Sequence, residues 1–255
     1  MSANGSVYEL RNVTYRYAQQ IAINDISLRI SAGERVALIG PSGAGKSTLF
    51  KLLNGSVTPT AGTVTVFGAD LAQTASRQRR RIQRQIGTIY QQLHLVGALQ
   101  VIHNVNAGQL GDWSLAKAVL SLFWPLDSAR VEAILADLGI ADKLYLRTDQ
   151  LSGGEQQRVA LARVLLQNPA VILADEPIAS IDPERSRSLM DILRRLSLSA
   201  QTTLITSLHT LEFAYSHFER TIGLRHGQIA FDCQTNAVTA PMIETLYAVD
   251  EADHE

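Results

Sequence analysis

Apolar and polar positions along this chain change rhythm twice. Over 7–13 and again over 22–30 they alternate, the period of strands that bury one face. Ser31-Ala32-Gly33 separates the second run from Arg35-Val36-Ala37-Leu38-Ile39, whose mostly apolar character predicts a strand covered on both faces. That strand stops in a glycine-rich turn, helix formers follow over 47–54, and alternation returns over 62–67. From about 100 to 168 the period becomes helical. Val131, Ile134, Leu135 and Leu138 share one face, and Gly139 stands where a left-handed cap would close that helix. A second buried-strand run occupies 171–174. Pro183 then suits the first turn of a helix whose face is Leu189, Ile192, Leu193 and Leu196. A β-branched strand over 202–206 and two strands flanking Arg225-His226-Gly227 complete the pattern. The expectation is an α/β fold: a mixed sheet with flanking helices, an N-terminal antiparallel β-subdomain and an inserted α-helical subdomain. Residues 1–255 then form one domain, with 1–91 and 166–255 as core and 92–165 as the helical part.

Composition narrows this picture. At 255 residues, 46% hydrophobic and 18% charged, the chain is too apolar to be disordered. A net charge of -1 gives no support to nucleic-acid binding by bulk electrostatics, so the basic run Arg77, Arg79, Arg80, Arg81 and Arg84 reads as a solvated helix face. The single cysteine, Cys233, cannot close an intramolecular disulfide and points to a reducing compartment. The first residues lack a signal-peptide pattern, and no apolar run reaches the 18–20 residues or so of a spanning helix. The acidic tail 249–255 is expected to fray.

The chemistry begins at the first glycine-rich turn. Gly40-Pro41-Ser42-Gly43-Ala44-Gly45-Lys46-Ser47 satisfies G-x-x-x-x-G-K-[ST], and Thr48 extends it. Glycines let backbone N–H groups curl around a phosphate, and the following helix presents its positive end to the same anion. Lys46 would reach the β- and γ-phosphates, and the Ser47 hydroxyl would bind Mg²⁺. A buried strand ending in Asp175 and Glu176 supplies two carboxylates: Asp175 suits the Mg²⁺ shell, Glu176 a general base orienting water. Leu151-Ser152-Gly153-Gly154-Glu155 is a second receptor. Ser152 and Glu155 have capping-box spacing, so a helix starts after Ser152, and Gly153 and Gly154 leave its first N–H groups unobstructed. Two phosphate receptors so far apart in sequence suggest sites completed across an interface.

With these segments on the page, the chain resembles the ATP-binding-cassette ATPases over nearly its whole length. The segment 40–47 matches the first Walker motif, 171–176 the second, and 151–156 the family signature. The resemblance implies a phosphate-loop NTPase core, ATP and Mg²⁺ as cofactors, and further roles in order. Gln91, after Gly87-Thr88-Ile89-Tyr90, is similar to the glutamine that contacts Mg²⁺ and water and senses the transport partner; Gln92 is its rival. Asp182, in Ser180-Ile181-Asp182, resembles the aspartate at the dimer seam. His209 resembles the switch histidine at the γ-phosphate. Tyr17 resembles the aromatic that stacks on adenine, with Tyr15 as its rival on the same strand face. The family analogy implies a head-to-tail homodimer in which each ATP lies between one Walker loop and the opposite Ser152-Gly153-Gly154.

A single cassette without spanning helices resembles the separate ATPase subunit of a bacterial importer. It would sit on the cytoplasmic face of the inner membrane, with integral permease subunits and, indirectly, a substrate-binding protein. Asn104-Val105, Ala107-Gly108-Gln109-Leu110-Gly111, an apolar helix near 115–124, Arg147-Thr148-Asp149-Gln150 and Ile222-Gly223-Leu224-Arg225 resemble the phosphonate-import branch. The expected cargo is phosphonate, phosphite or a related phosphorus oxyanion. The apolar helix with Trp113, Phe123 and Trp124 is either subdomain core or a docking surface. Alternatives are lipoprotein release, cell-division signalling, a phosphonate-degradation complex, and a nucleotide-binding regulator with little turnover. Intact Glu176 and His209 oppose the last.

Overall fold

The computed structural model describes residues 5–178 and 183–248, with Leu122 and Phe123 described by their backbone only. The acidic tail therefore lies outside the described residues. The chain divides into two compact units, Met1–Ala75 with Thr203–Glu255, and Ser76–Thr202.

The first unit opens with β1 (Ser6–Tyr17) and β2 (Gln20–Ser31), paired antiparallel. β3 (Arg35–Ile39) leads through the glycine-rich turn into α1 (Lys46–Leu53), and β4 (Ala61–Val66) and β5 (Ala69–Asp70) follow. The order β2-β1-β4-β5 forms a small antiparallel sheet whose alternation buries Tyr8, Leu10, Val13, Ile23, Ile26 and Ile30 on one face.

In the second unit α2 (Ser76–Gln83) and β6 (Ile86–Ile89) precede a helical stretch. It contains α3 (Val101–Asn106), α4 (Leu115–Phe123), α5 (Ser128–Asp137) and α6 (Gly153–Gln167), after which come β7 (Val171–Ala174) and α7 (Pro183–Ala200). The chain then re-enters the first unit as β8 (Thr203–Leu208), α8 (Leu211–His217), β9 (Arg220–Arg225), β10 (Gln228–Gln234) and α9 (Ala240–Tyr247).

β3 pairs parallel with β8 on one side and β9 on the other, and β10 joins β9 antiparallel. Flanked on both edges and covered on both faces, β3 carries Val36, Ala37, Leu38 and Ile39 fully buried, which explains its unalternating apolar run. Arg220 ties this sheet together: it donates two 2.7 Å hydrogen bonds to the Asp232 carboxylate and one of 2.8 Å to Glu34.

In the second unit β6 and β7 pair parallel. α5 ends on Leu138, and Gly139 takes φ +70°, the left-handed cap its position predicts. The α6 capping box forms as its spacing requires, with Glu155 N–H donating to Ser152 Oγ and Ser152 N–H donating to Glu155 Oε2. In α4, Leu115, Val119, Leu120 and Trp124 face solvent, so those positions are not subdomain core. Trp113 instead packs under Lys117, whose ammonium lies 4.7 Å from the ring centroid.

Asn104, on α3, is buried and fully paired. It accepts from the Val96 N–H at 2.8 Å and donates to the Val96 carbonyl at 2.9 Å and to Thr148 Oγ1 at 2.8 Å. Truncating it removes the side-chain partner of the Val96 N–H and carbonyl and breaks the buried bond to Thr148 Oγ1. Asn104→Ala is expected to destabilise the chain by about 2–3 kcal/mol, measured as a lowered urea midpoint; an unchanged midpoint contradicts this account.

Candidate functional site: strand ends and a phosphate loop

The functional side chains of both units sit where parallel strands end, the position that α/β sheets reserve for ligands. In the first unit the β3–β8 register places Ile39 beside Leu208, and the β3–β9 register places Ile39 beside Gly223. Gly40 therefore leaves β3 level with His209 leaving β8 and with Leu224. β8 runs to Leu208, two residues beyond the expected 202–206 strand, so His209 follows it directly and is exposed.

The turn after β3 takes a shape only glycine permits at its two ends. Gly40 has φ +154° and Gly45 φ +104°. A Cβ on Gly40 would lie 2.1 Å from the Leu224 carbonyl oxygen, and one on Gly45 2.5 Å from that of Ala22. At Gly43, by contrast, a Cβ would meet nothing within 4 Å, so the loop is backed by backbone at its ends and open at its crown. Gly45 is also the N-cap of α1 and supplies no side-chain acceptor, leaving the first N–H groups of the helix for an anion. Lys46 is buried and folds back over the loop, donating to the carbonyls of Gly40 at 2.7 Å and Pro41 at 3.0 Å. A cation held on neutral carbonyls is poised to exchange them for phosphate oxygens. Pro41 is half-buried, Ser42 and Ser47 are exposed, and Ala44 and Thr48 are buried, anchoring the loop and α1.

Tyr17 ends β1 with its ring exposed, edge-to-face with Tyr15 at 4.8 Å, and its hydroxyl accepts from Lys51 at 3.3 Å. Of the two rivals, Tyr17 carries an exposed face on the unit that holds the phosphate loop.

In the second unit the β6–β7 register pairs Ile89 with Ala174, so Tyr90 is level with Asp175 and Gln91 with Glu176. Asp175 still donates its N–H to the Ile89 carbonyl at 2.8 Å, whereas Glu176 turns to φ +50°. The two carboxylates are thus separated by a turn at Glu176 rather than by strand pleating alone. A left-handed non-glycine backbone at a carboxylate is the kind of strain that functional sites retain. Gln91 and Gln92 are both exposed just past β6, and the geometry of the strand does not choose between them. In the same unit Ser152 caps α6, with Gly153 exposed and Gly154 half-buried. The Ser152 hydroxyl also donates to Glu155 Oε2 at 2.8 Å, so it is committed to its own capping box. Gln157, one turn on, donates to the Pro177 carbonyl at 3.1 Å and links the signature helix to the segment after Glu176. Asp182 lies outside the described residues.

Arg163 was not among the residues singled out from the sequence. Half-buried on α6, it donates to the carbonyls of Leu93 at 2.8 Å and His94 at 2.9 Å and so fixes the segment that follows Gln91. Burial pulls its pKa down, with the nearby Tyr90 opposing. An arginine inside the apolar run Val159-Ala160-Leu161-Ala162-Arg163-Val164 was the available signal. It borders a groove of about 520 Å³ lined also by Arg80, Arg84, Tyr90, His94 and Gly108. Two arginines of the basic run therefore line a concave surface rather than lying on a plain solvated face.

Among the described residues no group of three or more His, Cys, Asp or Glu could hold a metal ion. Ser47 in the first unit, and Gln91 and Asp175 in the second, each carry an oxygen donor of the kind Mg²⁺ accepts. No described helix is long and apolar enough to cross a membrane.

A glycine-walled loop with a folded-back lysine, and strand-end carboxylates of the Asp175–Glu176 kind, define a phosphate-loop nucleotide-binding protein. The ABC transporter family matches residues 23–179, more than half of the chain. The chain is 40% identical over 251 residues to the phosphonates import ATP-binding protein PhnC of Pseudomonas putida, covering 98% of this chain and 93% of that one. Against the same-named protein of Pseudomonas fluorescens the identity is 44% over 230 residues, covering 90% and 87%. Among solved structures it resembles a dimeric ATP-binding cassette in a post-hydrolysis state bound to ADP and Pi, with TM-score 0.78, 28% identity, and 91% and 100% coverage. The ADP conformation of a second cassette gives TM-score 0.80 at 21% identity, with 96% and 100% coverage, a likeness of fold. The chain belongs to the ABC transporter family and is its ATP-binding, ATP-hydrolysing cassette.

The Glu155 carboxyl is held below the usual carboxylate range, first by the Ser152 N–H, then by its hydroxyl, with Lys143 adding to both. A depressed folded pKa contributes stability above the unfolded value, lost as pH falls through the folded value. Thermal melting of the wild type should therefore fall more steeply than that of Glu155→Gln below the ordinary glutamate range. Parallel curves from pH 7 to 3 would remove the capping carboxylate from the account.

Proposed function

We propose that the chain is the ATP-hydrolysing subunit of a bacterial importer for phosphonate, phosphite or a related phosphorus oxyanion, working as a head-to-tail dimer of cassettes. The observation that carries the catalytic part is the loop of 40–47: backed by backbone at Gly40 and Gly45, open at Gly43, with Lys46 resting on carbonyls. The cargo class rests on the phosphonates-import names of relatives matched along most of both chains.

In this reading the backbone N–H groups of the loop and of the first turn of α1 bind the β- and γ-phosphates, and Lys46 transfers its hydrogen bonds to them. Tyr17 stacks on adenine. Mg²⁺, held by Ser47 with Asp175 and Gln91, would neutralise phosphate charge. Glu176 orients and deprotonates the attacking water, and His209, level with Gly40 at its strand end, contacts the γ-phosphate. Ser152, Gly153 and Gly154 receive the phosphate of the opposite protomer, with Asp182 at the seam. The segment 92–165 acts as the signature subdomain, and the groove beside Arg163 takes a cytoplasmic segment of the permease. The working place is the cytoplasmic face of the inner membrane, with a substrate-binding protein on the far side.

Glu176→Gln keeps the shape and removes the base. Steady-state ATP hydrolysis should fall about 10²–10⁴-fold, and with MgATP the variant should run as a dimer in size-exclusion chromatography. Unchanged hydrolysis would sink the base assignment. For the cargo, ATPase of the assembled transporter should rise on adding phosphonate or phosphite with the binding protein, and a flat response to both would redirect the cargo class.

A further inference from the structure

One main-chain carbonyl, that of Ala22 on β2, stands against two glycines of the first unit that lie far apart in the sequence. A Cβ on Gly45 would lie 2.5 Å from the Ala22 oxygen, and one on Gly227, in the β9–β10 turn, 2.7 Å from it. Both glycines take positive φ, +104° and +72°. Gly227 is buried, and a Cβ on it would also lie 3.1 Å from the Ile23 Cα. A Cβ on Gly45 would come within 3.5 Å of the Gly227 Cα, so the phosphate loop and the turn meet as bare backbone. Two hydrogen bonds lock this junction. The Gly227 carbonyl accepts the Asn24 N–H at 2.8 Å, which fixes the turn to β2, and the Gly227 N–H donates to the Ala44 carbonyl at 3.0 Å.

The second bond acts on the peptide unit that joins Ala44 to Gly45. That unit is trans, and in a planar trans peptide the C=O and the N–H point in opposite directions. With the Ala44 carbonyl drawn back to Gly227, the Gly45 N–H is turned away from the β9–β10 turn. Gly45 is the N-cap of α1, so its N–H neighbours the first N–H groups of that helix, the ones open to an anion. Successive N–H groups converge into an anion receptor only when each peptide keeps its sense. We infer that Gly227 is a positioning residue for nucleotide binding: from the β9–β10 turn its N–H sets the orientation of the Ala44–Gly45 peptide and so aims the Gly45 N–H at the triphosphate. Gly227 itself touches no nucleotide. It holds the receptor in its binding shape in advance, so less ordering is left for binding to accomplish. The inference rests on the phosphate-loop reading above.

The test uses the full chain and MgATP. Gly227→Ala drives a Cβ against the Ala22 carbonyl, so the turn must withdraw and release the Ala44 carbonyl. MgATP affinity by calorimetry should weaken about ten- to a hundredfold, the loss of one hydrogen bond to a charged group. Gly227→Asn tolerates positive φ better than alanine but carries the same Cβ, and should weaken binding about as much. In both, kcat at saturating MgATP should stay within about threefold, because an N–H that holds phosphate equally before and during reaction moves KM. Asn104→Ala, which loosens the other unit, controls for lost stability and should keep wild-type affinity well below its melting temperature. One wild-type reading needs no variant to fold: an NMR coupling across the hydrogen bond, from the Gly227 nitrogen to the Ala44 carbonyl carbon, should be present before nucleotide is added. Wild-type affinity in both Gly227 variants overturns the inference, and so does a coupling that is missing without nucleotide. An equal loss in Asn104→Ala, or a fall in kcat with KM unchanged, overturns it as well. Lys46→Ala separates the two layers: if it binds MgATP as the wild type does, the phosphate-loop reading itself fails. If it loses affinity while both Gly227 variants keep theirs, only the positioning role fails.

Discussion

A nucleotide-binding turn must offer backbone N–H groups to an anion, and that requires backbone conformations which side chains forbid. In this chain the requirement is met by wedging two glycines against main-chain carbonyls, Gly40 against Leu224 and Gly45 against Ala22. The wedge works only if those carbonyls are immobile. β3 is therefore paired on both edges, and its four apolar residues are buried on both faces. Arg220 pins β9 to β10 through Asp232 and to Glu34, just ahead of β3. The apolar run that looks like mere core in the sequence is what makes the loop rigid enough to be a receptor.

The two helix N-termini proposed as phosphate receptors are capped differently. At α1 the cap is a glycine with no acceptor, so the helix N–H groups wait for a ligand, and the neighbouring cation is parked on carbonyls. At α6 the cap is Ser152, already satisfied by Glu155 in both directions. An anion arriving there meets a hydroxyl engaged with a carboxylate, and must draw it away. The first receptor is preorganised to bind on its own. The second would have to give up an existing hydrogen bond, which accords with the proposal that its site is completed by two protomers.

Much of this was legible because it is local. The strand runs, the left-handed cap at Gly139, the helix start at Pro183 and the capping box each depend on residues within one or two turns of each other, and apart from the end of β8 each forms where the pattern places it. The phosphate loop is legible for the same reason, since its glycines, lysine and serine are contiguous. What escaped is non-local. Arg163 reaches back some seventy residues to Leu93 and His94, and Arg225 finds its acceptors in a helix that starts fifteen residues on. No periodicity announces such pairs. Burial was also ambiguous for α4, whose apolar composition suits core and surface alike. Only the fold shows Leu115, Val119, Leu120 and Trp124 turned outward.

The residues by which the sequence resembles phosphonate importers have a physical meaning that bears on what such a resemblance can say. Asn104 and Thr148 bind each other, and between them hold Val96 and Leu99 by main-chain hydrogen bonds. Asp149 continues the brace with its N–H on the Gly97 carbonyl at 3.0 Å. These side chains shape the segment 96–99, a few residues beyond Gln91 and next to the one Arg163 secures. Arg225 likewise ties the β9–β10 turn to the end of α9. They set how the segment after β6 and the β9–β10 turn are held. Kinship at these positions therefore reports a shared mechanical frame, the one that must fit a particular permease. Cargo follows from kinship only through that permease, which is why relatives aligned along the whole chain carry more weight for it than any residue of the nucleotide site.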